Sequence, residues 1–147
     1  MPTSDDVRDA PLAEIDAVTL YRILALRSDV FVVEQDCVYL DPDGRDLEPD
    51  ARQLWIESDG AVVATLRILA DDARTARIGR VATARGARGD RLAGRLMVRA
   101  LELCANRDVV LDAQSYLEQW YARFGFVPDG PEFIEDGIPH IPMRLQQ

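Results

Sequence analysis

A loop rich in arginine and glycine, residues 85–91, lies between a predicted strand and a predicted helix. The first backbone N–H groups of a helix have no partner within it, and the helix dipole favours negative charge at that end. Between residues 77 and 99 the chain has seven arginines and one acidic residue, Asp90, although its net charge is −9. Arginine adds forked donors that match phosphate oxygens. The segment therefore predicts a site for a small anionic ligand that carries phosphate.

Two common phosphate-binding motifs are absent from the sequence. No Gly-Lys-Ser/Thr ends a P-loop, and no Gly-x-Gly-x-x-Gly opens a βαβ unit with an acidic residue placed to hold a ribose. The acidic balance argues against nucleic acid, because phosphate contacts need a basic face. It is compatible with a cationic substrate such as an amine, and it also serves solubility alone. The loop at 41–46 does not have EF-hand spacing, and the cysteines have no metal-ligand spacing, so no metal is expected.

The length and composition are those of an ordinary soluble domain. The chain has 147 residues, which suits one domain over 1–147, with 48% apolar and 29% charged residues. No apolar run approaches the length of a membrane span, and the first residues lack the regions of a signal peptide. We therefore expect a cytoplasmic protein without membrane contact, in which Cys37 and Cys104 are free thiols and Cys104 lies in the core.

Hydrophobic periodicity predicts an α/β fold, with an antiparallel meander followed by a parallel crossover. The predicted strands cover residues 11–15, 53–57, 61–69, 76–83, 109–113, 126–127, 133–134 and 140–145. A first helix is capped by Thr19, and two more cover about 92–106 and 117–124. The segment 58–60, Ser-Asp-Gly, predicts a hairpin turn.

Two charged residues share the phase of an apolar stripe on the first predicted helix. The stripe comprises Leu20, Ile23, Leu24, Val30 and Phe31. Arg27 and Glu34 are the charged residues, and charge is unusual in this phase. Either they lie at the edge of the stripe and pair with each other or a neighbour, or this face of the helix looks into a cleft.

The segment Arg88-Gly89-Asp90-Arg91-Leu92-Ala93, followed by Leu96-Met97, resembles the acyl-CoA motif of the GNAT acetyltransferases, Arg/Gln-x-x-Gly-x-Gly/Ala. Arg88 takes the first position and Ala93 the last, but Arg91 stands where the family has its middle glycine. Because backbone N–H groups cradle the phosphates in this motif, a side chain that points outward is tolerated there. Arg91 could also contact a phosphate itself.

Four other segments extend the resemblance over most of the chain from about residue 20. Residues 120–126, Trp-Tyr-Ala-Arg-Phe-Gly-Phe, resemble the second family signature on the last helix and strand. Residues 30–35, 41–44 and 135–141 are similar to the ElaA-like branch. The sequence is thus identified as a member of the GNAT family, which implies a mixed, mostly antiparallel central sheet flanked by helices. The sheet is expected to splay at a β-bulge near the acetyl-CoA site.

The resemblance implies an N-acetyltransferase in which a primary amine of a small molecule or peptide attacks acetyl-CoA directly. The pyrophosphate is then expected on the loop formed by Arg88, Gly89, Asp90, Arg91, Leu92, Ala93 and Gly94. The pantetheine arm would pair with Val81, Ala82 and Thr83, where the signature strand separates from the strand at 109–113. A backbone N–H near Val81 would face the developing oxyanion.

Three residues are candidates for proton transfer. Tyr121 matches the family tyrosine that protonates the leaving thiolate, with packing against the pantetheine arm or the core as the alternative. The general base is open between Glu34 and His140, the one histidine of the sequence, whose ordinary pKa is near neutrality. A chain of waters is a further possibility for the base.

The substrate side is less defined. Arg27 could pair with Glu34 or hold a substrate carboxylate, and Asp112 and Gln114 could orient water or substrate. The alternative function is a catalytically inert domain that binds acyl-CoA as a sensor or scaffold, which Arg91 favours. A nucleotide-binding βα module lacks its motifs. Neither the amine nor the oligomeric state follows from the sequence, although family members often form homodimers.

Overall fold

The computed structural model describes residues 6–147 as an eight-stranded sheet with helices on both faces. The strands are β1 (Arg8–Ala10), β2 (Arg52–Ser58), β3 (Ala61–Ala70), β4 (Thr75–Thr83), β5 (Asp108–Gln114), β6 (Val127–Pro128), β7 (Phe133–Glu135) and β8 (Ile138–Leu145). The helices are α1 (Ala17–Ser28), its π-helical continuation (Asp29–Glu34), α2 (Leu92–Leu103) and α3 (Glu118–Ala122). The strand order is β1-β2-β3-β4-β5-β8-β6, and β7 also pairs with β8. Among these residues β4 and β5 are the parallel pair, so the mixed, mostly antiparallel fold is confirmed.

The sheet separates two apolar cores. On one face α2 packs through Leu96 and Met97 onto Ile78 of β4. On the other face Ile23 of α1 belongs to a smaller core that includes Ala82 of β4. The predicted hairpin between β2 and β3 is confirmed at its turn, where Asp59 and Gly60 both have positive φ (51° and 76°). No helix within residues 6–147 is long and apolar enough to cross a bilayer.

The N-terminal predictions were wrong in position. The edge strand is Arg8–Ala10 rather than 11–15, because Pro11 has no N–H for a strand ladder and instead precedes a 3-10 turn, Leu12–Glu14. Asp16, not Thr19, caps α1. Its carboxylate accepts hydrogen bonds from the backbone N–H and the hydroxyl of Thr19, at 2.9 and 2.8 Å.

Two helices are shorter than predicted. The helix α2 ends at Leu103 rather than 106, and the chain leaves it through Asn106 with a φ of 70°. The segment predicted as a helix over 117–124 is a 3-10 turn, Ser115–Leu117, followed by α3. Gly125, with a φ of 98°, follows the end of α3 in the left-handed conformation that glycine favours.

A β-bulge interrupts β4 beside its pairing with β3. The register shifts between Thr65 and Arg67, so two residues of β4, Arg80 and Val81, oppose the single residue Leu66. The bulge also exchanges the faces of the strand. Ile78 packs with the α2 core before it, whereas Val81 packs there after it.

Within residues 6–147, β4 has no strand partner on its β5 side after Arg77, which lies before the bulge. Residues 75–77 of β4 pair with residues 108–110 of β5, and the register of the two strands ends there. The ends of β4 and β5 therefore separate, which is the splayed geometry expected from the resemblance.

Candidate active site

A cleft of about 860 Å³ opens where β4 and β5 separate. Its walls come from both strands, from the π-helical segment after α1, from α3 and from the β7–β8 hairpin. The predicted site residues that line it are Val81, Ala82, Thr83, Arg88, Ala93, Gln114, Tyr121, Glu34 and His140. The structure thus brings the expected cosubstrate, acid and base residues to one cleft. The remaining predicted loop residues, Gly89, Asp90, Arg91, Leu92 and Gly94, continue beside its mouth.

The N-terminus of α2 presents backbone N–H groups without a capping side chain. The first bond of the helix runs from the N–H of Arg95 to the carbonyl of Arg91, and no side chain caps the end. The N–H groups of Leu92, Ala93 and Gly94 therefore have no acceptor within the described residues. They lie at the positive end of the helix dipole, which suits a diphosphate.

Arg91 explains why a glycine usually stands at its position. It has a φ of 61° and a ψ of 26°, a left-handed conformation that glycine adopts without strain. The arginine keeps this backbone at a cost of about 1–2 kcal/mol. Its side chain is exposed, so the departure from the family motif leaves the direction of the backbone intact.

Arg88 and Glu34 form an ion pair across the cleft mouth. The two carboxylate oxygens of Glu34 accept hydrogen bonds of 2.6 and 2.7 Å from Arg88, and Arg85 lies 3.2 Å away. These contacts, the hydrogen bonds from Arg88 above all, lower the pKa of Glu34 to about 2. Arg88 also donates from Nε to the carbonyl of Thr83, at 3.2 Å. Its guanidinium is therefore occupied by protein groups on both edges.

Tyr121 lies on α3 with 7% of its surface exposed. Its ring packs edge-on against Trp120 and Phe126, with centroid distances of 4.9 and 6.3 Å. Burial raises the pKa of the phenol above its ordinary value, so the hydroxyl stays protonated at neutral pH. Tyr121, the residue expected to act as the acid, thus lines the cleft.

His140 lines the same cleft, and one of its ring nitrogens has a hydrogen-bond partner. Its Nδ1 is 2.8 Å from the carbonyl oxygen of Ile138, and its ring stacks on Phe133 at 5.6 Å. A carbonyl only accepts hydrogen bonds, so Nδ1 carries a proton in this geometry, and in the neutral imidazole the lone pair is then on Nε2. His140 pairs in register with Gln114 of β5, which places both beside the strand separation.

Arg27 does not reach the cleft, and the expected pair with Glu34 is wrong. Its guanidinium is 1% exposed and binds Asp41 and Asp46, each at 2.9 Å. It is buried against protein carboxylates and cannot hold a substrate carboxylate in this arrangement. The acidic turn that supplies both aspartates folds back onto the sheet instead of facing solvent.

This turn is the centre of a buried network that the sequence did not indicate. Arg67 of β3 binds Asp43 and Asp46, at 2.7 and 3.2 Å. Arg80, at the β4 bulge, lies 2.9 Å from Asp41 and 3.3 Å from Asp43. The hydrogen bond from Arg67 holds the pKa of Asp43 well below its usual range. Residues far apart in the chain thus fasten the bulge from the α1 face.

Two other cleft residues were not expected there. Gly79 lies just before the bulge, and apart from its two chain neighbours no residue within 6–147 has an atom within 4 Å of the position that a Cβ would take. Since Ile78 faces α2, Gly79 leaves open space on the α1 side of the sheet. Cys37, predicted only as a free thiol, has its sulfur 3.4 Å from the carbonyl oxygens of both Gln35 and Asp136, and so contacts the β7–β8 hairpin from the loop after α1. Cys104 lies fully buried in the core, as predicted.

A mostly antiparallel sheet whose parallel pair separates beside an uncapped helix end is the architecture of the GNAT acyltransferases. The family model for the acetyltransferase (GNAT) domain matches residues 39–147. The chain belongs to this family.

The similar proteins place it in the ElaA-like branch. A UPF0039 protein of Mycobacterium tuberculosis is 48% identical over 134 residues, which cover 88% of this chain and 86% of the relative. The crystal structure of Escherichia coli ElaA has a TM-score of 0.89 and 39% identity, covering 96% of this chain and 98% of that one. The crystal structure of an acyl-CoA N-acyltransferase from Pseudomonas aeruginosa also has a TM-score of 0.89, at 41% identity, covering 95% and 97%.

Proposed function

We propose that the protein transfers an acetyl group from acetyl-CoA to the primary amine of a small molecule or peptide, and that residues 1–147 act as one catalytic domain. One observation carries the proposal: a single cleft reaches from Ala93, in the first turn of α2, to Tyr121 and His140. The similarity to an acyl-CoA N-acyltransferase of P. aeruginosa supports it.

The backbone of the α2 loop suits the diphosphate of CoA. The free N–H groups of the first turn would bind its oxygens, and Gly89, with a φ of 95°, lets the chain approach them closely. The edge of β4 at residues 81–83 has no β5 partner, so its amides are available to the pantetheine arm. The N–H of Val81, within the bulge, would then donate to the thioester carbonyl oxygen as negative charge develops there.

The reaction forms a C–N bond to the amine and breaks the C–S bond of the thioester. We assign proton removal from the amine to Nε2 of His140, whose Nδ1 is already committed to Ile138. Tyr121 donates its phenolic proton to the departing thiolate. Glu34 is a poor base near neutral pH because two arginines lower its pKa to about 2.

The test measures free thiol released from acetyl-CoA against a panel of primary amines. Tyr121→Phe should lower kcat about a hundredfold, and His140→Gln similarly, because each removes one proton-transfer group. Tyr21→Phe, at an exposed tyrosine of α1, is the matched control and should behave as wild type. The sequence contains no lysine, so the protein has no side-chain amine of its own to consume acetyl groups.

The main alternative is an inert domain that only binds acyl-CoA. The arginine at the glycine position of the motif favoured this alternative. Arg91 keeps the backbone conformation that the glycine would have, which weakens that reason. Acetyl-CoA that raises the melting temperature without thiol release across the panel would favour the alternative. A melting temperature that does not respond to acetyl-CoA would contradict both functions, since a ligand of the native state stabilises it.

A further inference from the structure

We propose that Arg80 is a positioning residue: it fastens the β4 bulge to the acidic turn at 41–46 and thereby aims the N–H of Val81 into the cleft. The inference rests on the proposed function, because it assigns the support of the group that would face the thioester carbonyl. The backbone of Arg80 directs the next N–H, and its side chain is the anchor that fixes this backbone.

The backbone conformation of Arg80 sets the direction of the next N–H. The peptide unit between Arg80 and Val81 is planar, so the torsions of Arg80 decide where its N–H points. Arg80 has a φ of 53°, a conformation that residues other than glycine rarely adopt and that surrounding contacts must hold. It is one of the two bulge residues opposite Leu66.

Four contacts hold the side chain. The guanidinium Nε lies 2.9 Å from Oδ1 of Asp41, close enough for an ion pair, although its N–H is not aligned for a hydrogen bond. One terminal nitrogen donates to the Asp41 carbonyl at 3.1 Å and to Asp43 at 3.3 Å. The ring of Tyr39 lies under the guanidinium carbon, at 5.5 Å.

The carboxylate that binds the Arg80 side chain is itself buried and held by other groups. Asp41 is 2% exposed, and it also binds Arg27 and the hydroxyl of Tyr39, each at 2.9 Å. With its contacts directed at this buried carboxylate, Arg80 is not a free cation for an acceptor. Its influence on the cleft passes through the peptide bond to Val81.

The experiment is difference infrared spectroscopy with acetyl-CoA labelled with ¹³C at the carbonyl, alongside binding by calorimetry. In the wild type, the bound carbonyl band should move to lower wavenumber than in free acetyl-CoA, because a hydrogen-bond donor polarises the bond. Arg80→Gly tolerates the positive φ but loses the anchor, so its band should return toward that of free acetyl-CoA. Its kcat should fall at least about tenfold, with the KM for acetyl-CoA within about threefold of wild type.

The carbonyl band of Arg80→Lys should lie between those of wild type and Arg80→Gly, since an ammonium can reach Asp41 but lacks the forked donors of a guanidinium. Arg144→Ala, which removes a surface arginine paired with Asp108 and Asp129, should keep the wild-type band. A wild-type band and kcat in Arg80→Gly would overturn the inference while leaving the proposed function intact. No binding of acetyl-CoA by the wild type would instead overturn the proposed function. If Arg80→Gly does not fold, Asp43→Asn weakens the contacts of the same side chain. A carbonyl band at the wild-type position in Asp43→Asn would count equally against the inference.

Discussion

Two arginines of this protein share a backbone conformation that glycine usually adopts, and their surroundings are opposite. Arg91 has a φ of 61° at the end of an exposed loop, and its side chain is exposed to solvent. Arg80 has a φ of 53° inside a strand, and its side chain lies in a network of ion pairs. At Arg91 the backbone conformation shapes the loop before α2, and the exposed side chain does not hold it in place. At Arg80 the side chain is what keeps the backbone in place.

The largest expected effect is on the stability of the Arg80 site. Arg80→Gly relieves the strain of the positive φ. It also removes one of the two arginines paired with the buried Asp41, and the free energy lost with that pair exceeds the strain relieved. We expect a net loss of about 2–3 kcal/mol in the free energy of unfolding, after the relief is subtracted. Urea denaturation at pH 7 measures it. Unchanged stability would mean that the network does not support the bulge.

A substitution at Gly79 tests the cleft beside the same bulge without touching the network. Gly79→Val adds a side chain on the α1 side of the sheet, where the described residues other than its chain neighbours leave 4 Å free around the Cβ position. Stability should be unchanged or higher, because valine suits a strand. The kcat/KM for the amine should fall about tenfold as the acceptor is displaced. Gly79→Ala should give a smaller loss, and calorimetry should show wild-type affinity for CoA in both; an undiminished kcat/KM in Gly79→Val would place the acceptor elsewhere.

The same glycine substitution at Arg91 should have the opposite sign to that at Arg80. Arg91→Gly relieves about 1–2 kcal/mol of backbone strain and adds about 0.5–1 kcal/mol of chain entropy to the unfolded state. The net gain of about 0.5–1 kcal/mol corresponds to about 2 °C in Tm for a chain of this length. Differential scanning calorimetry checks it. A fall in Tm would show that the Arg91 side chain contributes contacts of its own.

These two sites also show what sequence reasoning could reach. The position of the Arg91 loop before a helix was predictable because the strand, loop and helix form a local pattern, with its residues at short and regular spacing. Arg27 pairs with neighbouring carboxylates, which is one of the alternatives that its helical phase left open. Its partners could not be found, because Asp41 and Asp46 lie in a turn whose contact with α1 is set by tertiary packing and not by local spacing. Arg80 gave no sequence signal at all, since a bulge is a property of the pairing between two strands.

The smallest expected effect concerns Glu34, whose ion pair with Arg88 links the exposed loop to the segment after α1. The pair is half exposed, so Glu34→Gln should cost less than about 1 kcal/mol at pH 7 and low salt. The pKa of Glu34 in the folded state, about 2, is below its ordinary 4.5. The pair therefore stabilises the fold fully above pH 4.5, and this contribution is lost as the pH falls from 4.5 toward 2.

Urea denaturation of wild type and Glu34→Gln at pH 7, 4 and 3 measures this difference directly. The difference in the free energy of unfolding between wild type and variant should be largest at pH 7 and should decrease as the pH falls. It should also decrease at every pH in high salt, since exposed ion pairs are screened. At pH 3 part of the difference in stability remains, because the pKa of Glu34 in the folded state, about 2, lies below that pH. A difference at pH 3 as large as that at pH 7 would show that Glu34 stabilises the loop by packing rather than by charge. That result would place the exposed loop in the same class as the Arg80 network, where the side chains hold the backbone.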